Sequence, residues 1–253
     1  MSSTPPPNSQ RTSRSETGPA SAGNSPTGQP AAILRGRPVR AVLFDLDGTL
    51  VETDDETVAR LARRLAPFRP ILPRRDVPHA ARHLADWINE CFNGGLALLD
   101  WLHLDEPAQR LARRWGLIHA NSADRPLVPV AGAVELVQAL YGRYLLGIVS
   151  TRSVAELQVF LVQHGLAGLF AVVIGSDSTV RIKPHPQPIL HAAERLGVNP
   201  RNVIMVGDTT ADVQSAQAAG SLAVGVLCGF GDREDLRRAD LVLTSTADLT
   251  RWL

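Results

Sequence analysis

Two aspartates two residues apart, Asp45 and Asp47, stand at the end of a short apolar run and are followed by Gly48 and Thr49. In extended chain, residues i and i+2 point to one face, so the carboxylates of an Asp-x-Asp pair can converge on a single ligand. The run before them, Ala41-Val42-Leu43-Phe44, has the unbroken hydrophobicity of a strand buried on both faces of a parallel sheet. Carboxylates at the end of such a strand are costly unless something binds them. The plainer alternative is a strand-to-helix turn in which Asp47 caps the next helix and Gly48 lets the chain turn.

More polar residues close later apolar runs. Ile148-Val149 leads into Ser150-Thr151, which offers hydroxyls and turn amides just before a helical segment, an arrangement suited to an anion. Another run ends in Gly175-Ser176-Asp177, and a fourth in Gly207-Asp208, with Asp212 one helical turn further on. Lys183 lies in the loop Arg181-Ile182-Lys183-Pro184-His185-Pro186. It is the only lysine among 26 basic residues, which makes it more informative than a lysine usually is. Taken singly, each has an ordinary reading: helix caps for Ser150-Thr151 and Asp208, solvated surface for Lys183 and Asp212. Several carboxylates, one ammonium and a hydroxyl on one rim instead point to a shared occupant. A hard divalent cation such as Mg²⁺ suits the oxygens, and a phosphoryl group suits the lysine and the hydroxyl.

The elements that would place these residues on one rim are legible. After a first strand over 39–45, strands are predicted over 144–149, 171–174, 203–206, 222–226 and 241–243. They alternate with helices over 133–141, 154–164, 188–196 and 211–219. Gly165, Gly197 and Gly220 stop three of those helices. The alternation predicts an α/β core, a doubly wound Rossmann-like parallel sheet built from 39–50 and 130–253, with ligands at the carboxyl ends of its strands. Residues 51–129 differ. Val58, Leu61 and Leu65, then Ala81, Leu84, Trp87, Ile88, Cys91 and Phe92, form helical stripes, and no β-pattern interrupts them. This predicts an inserted small all-helical domain. It holds 11 arginines against 11 acidic residues, and its Arg pairs read as solvated faces. Residues 1–38 read as a disordered Ser/Pro/Thr-rich tail, because 20 of the first 30 positions are Ser, Thr, Pro or Gly. The tail lacks the apolar stretch of a secretory signal.

Composition narrows the partners. A chain of 253 residues with 44% apolar content can bury a sizeable core. A net charge of +1 without a basic block argues against nucleic acid or an anionic membrane as a partner. No apolar run approaches the ~18 residues of a membrane span. Cys91 and Cys228 fit no metal-ligand spacing and read as free thiols of a reducing cytoplasm.

These motifs resemble those of the haloacid dehalogenase superfamily of aspartyl-phosphate hydrolases. Asp45-Leu46-Asp47-Gly48-Thr49 is similar to its first motif and Ile148-Val149-Ser150-Thr151 to its second. Lys183-Pro184-His185-Pro186 is similar to the third, and Gly207-Asp208-Thr209-Thr210-Ala211-Asp212 to the fourth. Ala216-Ala218-Ala219-Gly220, Gly225-Val226, Gly229 and Gly231 resemble the phosphoglycolate-phosphatase-like branch, which carries a small helical cap where 51–129 fall. The resemblance departs at Thr151-Arg152, where many members have Asn-Lys, and at Glu52-Thr53.

The resemblance implies roles. Asp45 would be the nucleophile and Asp47 the acid/base. Mg²⁺ would be held by the Asp45 carboxylate, the Asp47 carbonyl and Asp208. Asp212 would orient metal waters or Lys183. Ser150, preferred over Thr151, would hold the phosphoryl group with Lys183, and Thr151 would support it. The substrate would be a small phosphorylated metabolite, handled by a monomer or homodimer. Asp47 disfavours dehalogenase chemistry, and a cap region without lysine disfavours Schiff-base phosphonate cleavage. The rival readings are a phosphomutase of the β-phosphoglucomutase type, a pyrophosphatase or nucleotidase, and a non-catalytic phosphoacceptor module.

Overall fold

The computed structural model describes residues 32–52 and 127–253. The tail as far as residue 31 and the interior of the expected helical insert, 53–126, lie outside the described residues.

One boundary is corrected at once. Residues 33–38, expected to belong to the disordered tail, form an antiparallel hairpin of β1 (Ile33–Leu34) and β2 (Arg37–Pro38). Arg35 and Gly36 make its two-residue turn with φ of 51° and 72°, and Leu34 is buried in the core. Arg35 donates to the Asp240 carbonyl at 2.8 and 3.1 Å, and Arg37 to that of Gly220 at 3.1 Å. A single buried leucine and long-range arginine contacts outweigh the polar composition that precedes them.

The main sheet has six parallel strands: β3 (Ala41–Phe44), β4 (Leu145–Val149), β5 (Val172–Ile174), β6 (Val203–Gly207), β7 (Leu222–Val226) and β8 (Leu241–Leu243). Their order is β5-β4-β3-β6-β7-β8. The intervening helices are α1 (Ala133–Leu140), α2 (Val154–Gln163), α3 (Gln187–Leu196) and α4 (Thr210–Ala219). Side-chain alternation along β3 builds both layers. Val42 and Phe44 join one core cluster with the buried faces of α1 and α2, whereas Ala41 and Leu43 join the other with those of α3 and α4. This is the doubly wound α/β core expected, with element ends shifted by a residue or two.

The topology selects one crevice. The chain runs from β3 outward to β4 and β5, then crosses to β6 on the other side. The strand order therefore reverses between β3 and β6, the place where open α/β sheets bind their ligands. Phe44 is in register with Ile148 on one side and Val206 on the other, so the residues after these strands emerge together. The stems of segment 53–126 also meet at this edge. Glu52 donates to the Val128 carbonyl at 2.8 Å, Val130 to that of Leu50 at 2.9 Å, and Val51 bridges both Asp47 and Pro129.

Candidate active site

Asp45 is the first residue past β3, its amide held by the Val206 carbonyl at 2.9 Å, so its side chain leaves the sheet at the β3/β6 crevice. It is buried. Lys183 is buried beside it, with its ammonium 3.0 Å from Asp45 Oδ1 and 2.6 Å from Asp212 Oδ1. The hydrogen bond goes to Asp212, which leaves Asp45 Oδ1 buried and ion-paired with Lys183 but, among the described residues, without a hydrogen-bond donor aligned on it. The Lys183 loop is fixed to α4 because Ser215 Oγ donates to the His185 carbonyl at 2.9 Å.

Asp212 lies at the third position of α4, where a capping box fixes it. Its Oδ2 accepts from Thr209 N at 3.1 Å and Thr209 Oγ1 at 2.6 Å. The N-cap is thus Thr209, not Asp208, and Ser153 rather than Ser150 or Thr151 caps α2. The ordinary readings of these motif residues as helix caps are excluded. Asp177, grouped with the rim carboxylates from sequence, does serve as a cap, accepting from Val154 N at 3.1 Å.

Asp208 is fully buried just past β6, and Phe230 N donates to its Oδ2 at 2.7 Å. Backbone packs closely against it. A Cβ built on Gly48 would lie 2.1 Å from Asp208 Oδ2, and one on Gly229 would lie 2.0 Å from the same atom. Asp45, Asp208 and Asp212 each present a carboxylate oxygen, all within 4.8 Å of one another. A buried all-oxygen set of this kind fits a hard divalent cation. The sequence reading places Asp212 behind the metal and the Asp47 carbonyl on it; the structure groups the Asp212 carboxylate with those of Asp45 and Asp208.

Ser150 follows β4, is buried, and accepts from Arg152 N at 3.3 Å, whereas Thr151 is half-buried. Asp47 is half-exposed and makes a two-point pair with Arg152, Nε to Oδ2 and Nη2 to Oδ1, both at 2.7 Å. In sequence Arg152 is only a departure from the usual Asn-Lys; nothing local marks it as the partner of Asp47.

The electrostatics follow from this packing. Burial penalises the Lys183 cation, but the Asp212 and Asp45 carboxylates outweigh it and raise its pKa above the ordinary value. Burial likewise opposes the Arg152 cation, and Asp47, with Glu156 and Asp45, more than compensates, so its pKa is raised. Asp45 is pushed up from 3.8 to about 7: burial is the largest cause, Lys183 opposes it, and the negative charges of Asp212 and Asp47 reinforce it. The metal-free folded chain therefore holds a proton on Asp45 that the unfolded chain has already lost. The contribution of Asp45 to stability is complete below about pH 4 and is lost as pH rises through about 7. In chelator, urea unfolding of the native protein at intervals between about pH 5 and pH 8 should show this decline, and Asp45→Asn should flatten it. An unchanged slope in the variant would refute the assignment of the titration to Asp45.

The chain is a hydrolase built on a doubly wound sheet. The haloacid dehalogenase-like hydrolase family model matches residues 42–226, and the chain belongs to that family, in its phosphoglycolate-phosphatase-like branch. A phosphoglycolate phosphatase of Neisseria meningitidis serogroup A is 30% identical over 228 residues, covering 83% of this chain and 92% of the relative. Among solved structures, a haloacid dehalogenase-like family hydrolase from Streptococcus pneumoniae aligns with a TM-score of 0.58 at 20% identity, covering 85% and 98% of the two chains. A β-phosphoglucomutase from Clostridium difficile aligns at 0.53 and 23% identity, covering 83% and 93%. Among the described residues no helix is long and apolar enough to cross a membrane.

Proposed function

We propose that this protein is a Mg²⁺-dependent phosphatase that hydrolyses a small phosphate monoester of the phosphoglycolate type in two steps. The observation that carries this reading is the buried cluster of Asp45, Asp208 and Asp212 carboxylates within 4.8 Å of one another, with the Lys183 ammonium 3.0 Å from Asp45. The names of its relatives support the substrate class.

In the first step an Asp45 carboxylate oxygen attacks phosphorus. The bond from phosphorus to the leaving oxygen breaks, its electron pair stays on that oxygen, and Asp47 supplies the proton. In the second, water attacks the aspartyl-phosphate, Asp47 takes a proton from it, and phosphate leaves with Asp45 restored. Lys183 and the Ser150 hydroxyl hold the phosphoryl oxygens as charge moves onto them. Asp45, Asp208 and the Asp47 carbonyl would hold the cation. Asp212, with Oδ1 on Lys183 and Oδ2 on Thr209, acts mainly by fixing the lysine. When bound, Mg²⁺ supplies positive charge that lets an anionic nucleophile approach an anionic phosphate. Segment 53–126 joins the described core through Val51 and Pro129 beside Asp47, and it would select the leaving group.

A phosphate-release screen over small phosphorylated metabolites tests the reading. Turnover should require Mg²⁺, stop in excess chelator and return when Mg²⁺ is restored; turnover in chelator would refute the metal requirement. The mutase reading rests on the β-phosphoglucomutase fold similarity. It would be favoured by conversion of a sugar monophosphate to its isomer without release of phosphate.

A further inference from the structure

The pair between Asp47 and Arg152 joins the proposed acid/base to the turn that carries Ser150. Both Asp47 oxygens are engaged in a fork at 2.7 Å, the geometry that a guanidinium offers a carboxylate and an ammonium does not. Arg152 is itself held at several points. Its amide donates to Ser150 Oγ at 3.3 Å, and its carbonyl accepts from Ser176 N at 2.9 Å. A Cβ on Gly175 would stand 2.7 Å from that carbonyl, so the backbone at β5 is pressed against it. On the far side of the guanidinium, Glu156 Oε1 lies 3.7 Å from Nη1, and Glu156 is fixed by Ser153 Oγ at 2.8 Å. Three-quarters of the Arg152 side chain is out of solvent, with 24% exposed. Ordering such a side chain costs about as much as an exposed ion pair returns, so the surrounding backbone and Glu156 contacts hold the fork in place along with the pair itself.

We propose that Arg152 is a positioning residue for the proton transfer: its fork sets the Asp47 carboxyl at a fixed place relative to the phosphoryl-holding turn at Ser150. When Asp47 carries the proton, one N–H contact gives way and the other keeps hold of the carboxyl. The proton then passes to the leaving oxygen as that oxygen takes the electron pair of the broken bond to phosphorus. The inference rests on Asp47 as the acid of the proposed phosphatase.

Leaving-group dependence tests it on the full chain with Mg²⁺. An alkyl phosphate such as glycerol phosphate needs its leaving oxygen protonated, whereas nitrophenyl phosphate expels a stable phenolate that hardly does. The readout is the ratio of the two losses in kcat/KM, which covers the steps up to phosphoryl transfer. Arg152→Ala should lose about tenfold or more on the alkyl phosphate and much less on the aryl one, part of the ~10²–10⁴ that general acid catalysis supplies. Arg152→Lys, with charge but no fork, should recover only part of the alkyl loss. Turnover of the aryl substrate also shows that each variant is folded. Equal losses on both substrates, or no loss on either, would overturn the inference. Asp47→Asn separates the two levels of argument. If it discriminates between the substrates and Arg152→Ala does not, only the role of Arg152 falls. If Asp47→Asn does not discriminate, the acid assignment falls as well.

Discussion

Asp45→Asn is expected to abolish phosphate release, by at least about 10⁴-fold in kcat, while leaving the fold in place. The amide matches the carboxylate in size and occupies the same buried volume at the end of β3, but it is no nucleophile. Lys183 keeps its 2.6 Å bond to Asp212, so the ammonium is not stranded by the change. The backbone amide of residue 45 still bonds to Val206. Above about pH 7 the metal-free variant should even resist unfolding better than the native chain, since it no longer buries an ionised carboxylate there. Phosphate release and urea unfolding on the same preparation measure both halves. Turnover within a hundredfold of the native protein would end the nucleophile assignment.

Gly229→Ala should also be damaging, although Gly229 bears no functional group. The added methyl would stand 2.0 Å from Asp208 Oδ2 and 2.4 Å from its Cγ. Asp208 cannot step aside, because it is fully buried and tied to Phe230 N at 2.7 Å. Gly229 is the better probe than Gly48, which touches the same carboxylate but has φ of 69°, so a side chain there would also strain the backbone. We expect a stability loss of about 1–3 kcal/mol from overpacking and a fall in Mg²⁺-dependent turnover of about 10²-fold or more. Thermal unfolding with and without Mg²⁺ gives an independent reading: the stabilisation by the cation should vanish in the variant. A variant that keeps both the metal-induced shift and the turnover would show that the approach of Gly229 to Asp208 has no bearing on the metal site.

The residues that the sequence alone placed at the sheet edge are those whose signal is local. Asp45, Ser150 and Asp208 each end an apolar run. Runs alternating with helical stripes imply parallel strands, and parallel strands bring their ends to one edge. Lys183 stood out by its rarity and Asp212 by its spacing from Asp208. The hairpin at 33–38 escapes a sequence reading for the opposite reason: strands of two residues are too short to show periodicity, and only the burial of Leu34 and the distant partners of Arg35 and Arg37 define them. The tertiary structure alone decided the rest, because the partners are remote along the chain. Arg152 is 105 residues from Asp47, and they meet only because β3 and β4 pair in the register that sets Phe44 beside Ile148. Gly48 and Gly229 flank a carboxylate that neither neighbours in sequence. A turn motif announces that a glycine bends the chain; only packing reveals that the missing side chain makes room for Asp208.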